Sequence, residues 1–184
     1  MRSISVFVLF LICVGSQSGS TFTKDKIDTT ALEQLISQKI NAIRAKAGQN
    51  ELADNAVLKM AAEDQAKYIS QLGRLSHKQP KKEKAKTRNR VEFYGGKMQG
   101  IGENTAYIKI FQTALFRGEK GAIDTVKIES LEKAADYIVY AWMNSPVHKQ
   151  NILYPKYTVS GVKVEYNKER KALYGVQVFA YPYP

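Results

Sequence analysis

The strongest constraint on the fold of this chain is a pair of segments near its C-terminus in which polar and apolar residues alternate. Residues 157–166 and 172–181 are rich in Val and Tyr, and a polar stretch at 167–171 separates them. Alternation with a period of two is typical of strands that bury one face. Two such segments joined by a short polar turn predict an antiparallel β-hairpin.

Helical patterns precede this hairpin. Apolar residues recur at helical spacing in residues 32–47, 58–72 and 131–142. Candidate N-caps stand before these patterns, at Thr30 (with Glu33 completing a capping box), Asp54 and Ser130. Pro146 cannot donate a helical hydrogen bond, so it predicts the end of the third helix and places the following residues on a turn.

The middle of the chain is less regular. Residues 91–94 are apolar enough for a short strand, residues 107–117 are interpreted as a short helix that Gly118 ends, and residues 118–129 as a polar connector. The order is then helices, an irregular middle, a helix and two strands. Helices segregated from an antiparallel sheet predict an α+β domain.

The N-terminus has the pattern of a secretory signal peptide. A basic start, an apolar run from Ile4 to Val14 and a small-residue stretch predict a signal at 1–20, a polar lead-in at 21–30 and a single domain at 31–184. The run is too short to span a membrane, and Ile12 is too bulky for lipoprotein processing at Cys13. Removal of this signal predicts a mature domain that is secreted, periplasmic or at the cell surface. Cys13 is the only cysteine, so that domain would have neither disulfides nor cysteine-based zinc sites.

Residues 78–97 carry an unusual charge. They hold eight basic and two acidic residues, a net +6 out of +10 for the chain from Thr21 onward. Like-charge repulsion favours a solvated, mobile surface loop. The functional alternative is an electrostatic contact with an anionic surface. Nucleic acid is a poor partner for an exported protein despite this charge.

Two histidines and one carboxylate are the candidate chemical groups. His77 and His148 are the only histidines, and each follows a predicted helix end. Glu103 lies in a glycine-flanked turn whose spacing does not fit a phosphate-binding loop. Imidazole can transfer a proton or bind a metal near neutral pH, although each residue alone could also be an ordinary surface or structural side chain.

Taken together, these motifs resemble the CAP superfamily, or SCP domain, of cysteine-rich secretory proteins, antigen 5 and pathogenesis-related protein 1, in its bacterial cysteine-free branch. The matching pieces lie in residues 30–181, and they are residues 40–44, Leu58 with Ala61-Ala62, Leu75-Ser76-His77, Gly102-Glu103-Asn104, residues 142–148, Asn151-Ile152-Leu153, Ser160-Gly161-Val162 and residues 174–180. The resemblance implies a three-layer α-β-α sandwich with a central antiparallel sheet and a surface cleft.

In that family two histidines and two acids line the cleft, and some members bind a divalent metal there. The resemblance assigns His77, Glu103 and His148 to three of these positions. The second acid would stand three positions after Trp142, where this chain has Ser145. The catalytic candidates are therefore His77, Glu103 and His148, the ligand-binding candidates are these three with Ser145, and the metal candidates are His77 and His148.

Three functions remain open at this point. The first is a secreted binding module whose cleft takes a small molecule, lipid or glycan, with or without zinc or another divalent metal. The second is a metal-dependent or acid–base hydrolase of peptide or glycan. The third is an interaction protein that uses residues 78–97. Ser145 and His148 suggest a Ser–His pair, but no oxyanion motif or orienting acid accompanies them.

Overall fold

The computed structural model describes residues 20–117 and 123–183. The predicted signal at 1–20, except Ser20, and Cys13 lie outside this range. In chain order the elements are α1 (Thr29–Lys46), β1 (Ala53–Asp54), α2 (Ala56–Leu72), a 3₁₀ turn (Lys82–Lys84), α3 (Thr87–Phe93), β2 (Met98–Lys109), β3 (Thr113–Arg117), β4 (Ile123–Lys127), α4 (Leu131–Met143), α5 (Pro146–Leu153), β5 (Val159–Asn167) and β6 (Ala172–Pro182). None of the described helices has the length and apolar character needed to cross a membrane.

The central sheet has the strand order β1-β5-β6-β2. Strands β5 and β6 form the predicted C-terminal hairpin, with Tyr166 opposite Leu173. Strand β2 pairs antiparallel with the other side of β6 and sets Glu103 opposite Val178. The short β1 pairs parallel with β5, so the sheet is antiparallel except at that edge. Strands β3 and β4 form a separate two-stranded sheet.

Apolar side chains fill both faces of the central sheet. One cluster joins the sheet to α1, α4 and α5 and includes Trp142, which is fully buried as the helical pattern suggested. The other cluster joins the opposite face to α2 and α3. A Cβ at Gly161 would lie 2.3 Å from the backbone nitrogen of Lys59, so glycine lets α2 approach β5 closely. The architecture is the expected three-layer α-β-α sandwich.

Two of the predicted helix starts are wrong, by one or two residues. Helix α1 is capped by Asp28, whose Oδ1 accepts the Ala31 amide at 3.0 Å, and not by Thr30. The predicted capping-box partner Glu33 reaches across to the sheet and accepts the Val164 amide at 3.0 Å. Sequence pattern alone could not show that this carboxylate had a distant donor.

The second wrong start concerns α2. Its cap is Asn55, which accepts the Leu58 amide at 3.0 Å, because Asp54 belongs to β1. The cap predicted at Ser130 is confirmed, since its hydroxyl accepts the Lys133 amide at 3.2 Å.

Three predictions for the middle of the chain are corrected by the structure. Residues 91–94 lie at the end of helix α3 and are not a strand. The helix predicted at 107–117 is replaced by the end of β2, a turn with Phe111 at φ 56°, and β3. Residues 78–97 are not a mobile loop, because they contain the 3₁₀ turn and α3, and Arg90 within them is fully buried.

Candidate functional site

His77 lies on the connection that follows α2. Gly73 adopts φ 73° and ends the helix, as a left-handed C-terminal residue commonly does. The connection is fastened to α2 because the Gln65 side-chain amide donates to the Ser76 carbonyl. The Ser76 hydroxyl also accepts the Lys78 amide at 3.0 Å. These bonds fix the backbone on both sides of His77 while 54% of its side chain stays exposed.

Glu103 lies on β2 with only 3% of its side chain exposed. One carboxylate oxygen is 2.8 Å from His77 Nδ1, and the other accepts a hydrogen bond from Arg90 Nη2. An ionised carboxylate can only accept hydrogen bonds, so the proton between Glu103 and His77 belongs to Nδ1. The neutral His77 ring then carries its lone pair on Nε2.

Arg90 is the functional-site residue that sequence reasoning missed. It lies on α3, is fully buried, and donates to the Lys84 carbonyl at 3.1 Å and the Thr87 hydroxyl at 3.2 Å besides Glu103. A buried guanidinium needs a carboxylate and several acceptors to offset its lost hydration. Arg90 therefore ties the basic segment to the carboxylate that orients His77.

His148 lies in the first turn of α5 and not on a turn between elements. Pro146 does end the preceding helix, but it also occupies the first position of α5, where its missing N–H has no cost. The Asn104 side-chain amide donates to the His148 carbonyl at 3.0 Å, and Asn151 donates to the Asn104 oxygen at 2.9 Å. The residue next to Glu103 on β2 thus positions the helix that carries His148.

The C-terminal end of α5 has its own anchor on α1. The guanidinium of the buried Arg44 donates to the carbonyls of Ile152 at 2.6 Å, Tyr154 at 3.2 Å and Tyr157 at 3.1 Å. These carbonyls belong to the last turn of α5 and the segment after it, where helical partners run out. Arg44 and Asn104 together hold α5 at both of its ends.

The two histidine rings lie beside one another. Their centroids are 6.4 Å apart with planes tilted by 59°. Burial lowers the pKa of His148 below its ordinary value, and the nearby charge of protonated His77 lowers this pKa further. His148 is therefore neutral at pH 7.

Ser145 is the N-terminal capping position of α5, yet its hydroxyl does not cap the helix. Its carbonyl accepts the Lys149 amide at 2.8 Å and its amide donates to the Trp142 carbonyl at 3.2 Å. Among the hydrogen bonds of the described residues, none joins the Ser145 hydroxyl to His148. The geometry thus gives no Ser–His pair for nucleophilic attack.

Gly102 is required by the close approach of α5 and the segment after it to β2. A Cβ at this position would lie 2.5 Å from the Tyr157 hydroxyl and 2.9 Å from the Asn151 side-chain oxygen. Any larger residue would displace the side chain that supports Asn104. The glycine before Glu103 therefore serves the packing of α5 against β2 and not phosphate binding.

The donor set for a metal consists of two imidazole nitrogens. Both oxygens of Glu103 are engaged, one by His77 and the other by Arg90. Within residues 20–117 and 123–183, no three His, Cys, Asp or Glu side chains are grouped to hold a metal ion. Catalytic zinc sites use three protein ligands, so the residues present do not fit such a site.

Comparison with known proteins identifies the family. The sequence profile of the cysteine-rich secretory protein family, CAP, matches residues 38–179. The chain belongs to the CAP family. A search among functionally characterised proteins gives no significant sequence match.

Solved structures with this fold include a bacterial outer surface protein and a bacterial extracellular protein. An outer surface protein from Borrelia burgdorferi aligns over 86% of this chain and 98% of its own, with 18% identity and a TM-score of 0.66. An extracellular SCP-domain protein from Bacillus anthracis aligns over 89% of this chain and 45% of its own, with 21% identity and a TM-score of 0.63. At these identities the likeness shows a CAP fold alone.

A CAP neighbour has also been solved with zinc. NaASP2 with Zn²⁺ aligns over 90% of this chain and 83% of its own, with 14% identity and a TM-score of 0.46. That likeness is too distant to transfer a metal to this chain.

Proposed function

We propose that this CAP protein acts outside the cell or at its surface as a binding module whose cleft holds a small ligand between His77 and His148. The observation that carries this proposal is the double engagement of Glu103 by Arg90 and His77. Because both carboxylate oxygens are already hydrogen-bonded, Glu103 orients an imidazole and is not available as a free base. The extracellular location is supported by the signal-like N-terminus and by the surface proteins that share the fold.

The cleft offers a defined set of hydrogen-bonding groups. His77 presents Nε2 as an acceptor, and it becomes a donor only when the ring is protonated. The neutral His148 ring presents a second donor or acceptor 6.4 Å away, measured between ring centroids. Hydroxyl and amide groups can donate to one such ring and accept from the other, so a glycan, a peptide or a lipid headgroup are the classes that suit this arrangement.

Hydrolysis of peptide or glycan is the alternative that we rank second. A carboxylate-oriented histidine is the arrangement that activates a hydroxyl or water by general base catalysis. It needs a nucleophile, and the Ser145 hydroxyl makes no hydrogen bond to either histidine in the described part of the chain. The alternative therefore depends on a water molecule held at His77 Nε2.

A weak divalent-metal site is a further part of the proposal. The favouring observation is that a carboxylate on Nδ1 leaves Nε2 of His77 free, as for metal-binding histidines in general. His77 and His148 would hold the ion through ring nitrogens. With only two protein ligands, we expect modest affinity and easy removal by chelators.

Nuclear magnetic resonance of the two imidazoles tests the binding proposal. The purified protein is titrated separately with chitotriose, an N-acetylated dipeptide and lysophosphatidylglycerol while the ring signals are followed. We expect one probe to shift the signals of both histidines and to be recovered intact, with the shift of His148 lost in His77→Ala.

Two outcomes contradict that proposal. Cleavage of a probe that disappears in His77→Ala would establish the hydrolase instead. Unchanged ring signals with every probe would leave the cleft without a ligand of these classes. Lys133→Gln, an exposed change on α4, is the matched control and should behave as wild type.

A further inference from the structure

An aromatic side chain is exposed within the basic segment 78–97. Phe93, the last residue of α3, is 49% exposed. The Nζ atoms of Lys84 and Lys81 lie 4.3 and 5.9 Å from its ring centroid, and Tyr94 packs edge-on at 5.1 Å. Cations above an aromatic face are attracted by its quadrupole. The exposed ring is thus held among positive charges.

Four further lysines of the segment have no acidic partner among the residues that the structure describes. Lys81, Lys84, Arg88 and Arg90 each form an ion pair, with Glu83, Asp64, Glu92 and Glu103 respectively. The remaining lysines are exposed, and in the described residues no carboxylate pairs with any of them: Lys78, Lys82, Lys86 and Lys97. These four lysines and Phe93, all exposed and all within residues 78–97, are called the basic face below.

The basic face is supported by a fixed scaffold. Lys84 pairs with Asp64 of α2 at 2.5 Å, and the Tyr94 hydroxyl donates to the same carboxylate at 2.8 Å. Burial alone would raise the pKa of Asp64, but hydrogen bonds from Lys84, Tyr94 and Gln79 outweigh it and lower this pKa. Charges displayed on an ordered scaffold lose little conformational freedom when they bind a surface.

We propose that the basic face docks the protein on an anionic lipid bilayer, with Phe93 entering the headgroup region. The unpaired lysines match a negatively charged membrane, and each lysine near such a surface strengthens binding about fivefold. An exposed aromatic ring gains from the apolar boundary of a bilayer, which a soluble polyanion does not offer. This choice of a bilayer therefore depends on Phe93, and it does not depend on the cleft or its ligand.

Sedimentation with lipid vesicles tests the proposal. Binding of the purified protein is measured on vesicles of phosphatidylglycerol and phosphatidylcholine in equal parts, and on phosphatidylcholine alone, at low and high salt. We expect salt-sensitive binding to the anionic vesicles only. Changing the four unpaired lysines to glutamine should weaken it at least about a hundredfold, and Phe93→Ser about tenfold.

Matched controls distinguish the effect of the basic face on binding from the effects of overall charge and of exposed apolar surface. A control variant with equal loss of charge changes Lys24, Lys109, Lys133 and Lys156 to glutamine, all of which are exposed outside the segment. Leu115→Ser removes an exposed apolar side chain, 61% accessible, from β3. Both controls should lose far less affinity than the variants of the basic face, because their residues lie elsewhere on the surface.

Three results would overturn the proposal. The first is absence of binding to anionic vesicles. The second is an equal loss in the control with four distant lysines changed, since net charge and not the basic face would then be responsible. The third is full binding by Phe93→Ser together with equal competition by soluble polyphosphate, which would identify a polyanion site instead of a bilayer site.

Discussion

Replacing Arg90 by leucine should destabilise the protein strongly. Its guanidinium is fully buried and Glu103 is 3% exposed, so the substitution leaves a buried carboxylate charge without its cation. Breaking a buried pair from one side costs about 3–5 kcal/mol. The donors to the Lys84 carbonyl and the Thr87 hydroxyl are lost as well. The free energy of unfolding of a typical domain is roughly 5–15 kcal/mol, so a large part of it would be lost.

A double-mutant cycle makes this argument quantitative. Urea denaturation would give the free energy of unfolding for wild type, Arg90→Leu, Glu103→Leu and the double variant. Because the double variant contains no unpaired buried charge, it should be more stable than the sum of the single effects implies, with a coupling of about 2–3 kcal/mol. A loss below about 1 kcal/mol for Arg90→Leu, or additive single effects, would refute a buried pair at this position.

The remaining predictions concern pH, packing and metal. Because the pKa of His148 is lowered in the folded state, the unfolded state binds more protons below the ordinary value of 6.5. The stability of the protein should therefore fall as the pH drops through the folded pKa. Thermal melting should show a smaller fall for His148→Asn. Gly102→Ala, which would clash with Tyr157, should cost about 1–3 kcal/mol in urea denaturation. Calorimetric titration should show weak Zn²⁺ binding near pH 7.5 that disappears near pH 5 and in His148→Ala. Ser145→Glu should strengthen the binding by adding an acid. Strong binding by His148→Ala would contradict a two-histidine site.

The sequence predicted the elements whose patterns are long and local. The hairpin of β5 and β6 and the helices α2 and α4 each repeat their polarity pattern over about ten residues or more, so periodicity was sufficient. Helix α3 has seven residues, and the apolar run at its end is too short to distinguish a helix from a strand. In residues 107–110 the sequence Tyr-Ile-Lys-Ile alternates in polarity and was a usable strand signal, but Gly118 was interpreted as the end of a helix.

Burial of charged residues depended on partners that are distant in the sequence. Arg90 stands in a run of cations that looks solvated, and its burial becomes intelligible only when Glu103 on β2 is placed beside it. Glu33 was assigned to a capping box because its true donor, the Val164 amide, comes from the other end of the chain. Glu103 requires a cationic or hydrogen-bonding partner because it is buried, and the sequence alone does not show that burial.

The tautomer of His77 tests the account of the cleft most directly. Glu103 accepts a hydrogen bond from Arg90 and another from His77 Nδ1, with 2.8 Å between the imidazole nitrogen and the carboxylate oxygen. Nitrogen-15 spectra of the neutral ring should therefore show a protonated Nδ1 and an unprotonated Nε2, and Glu103→Ala should remove this preference. A protonated Nε2 with a bare Nδ1 in the wild-type protein would contradict the account.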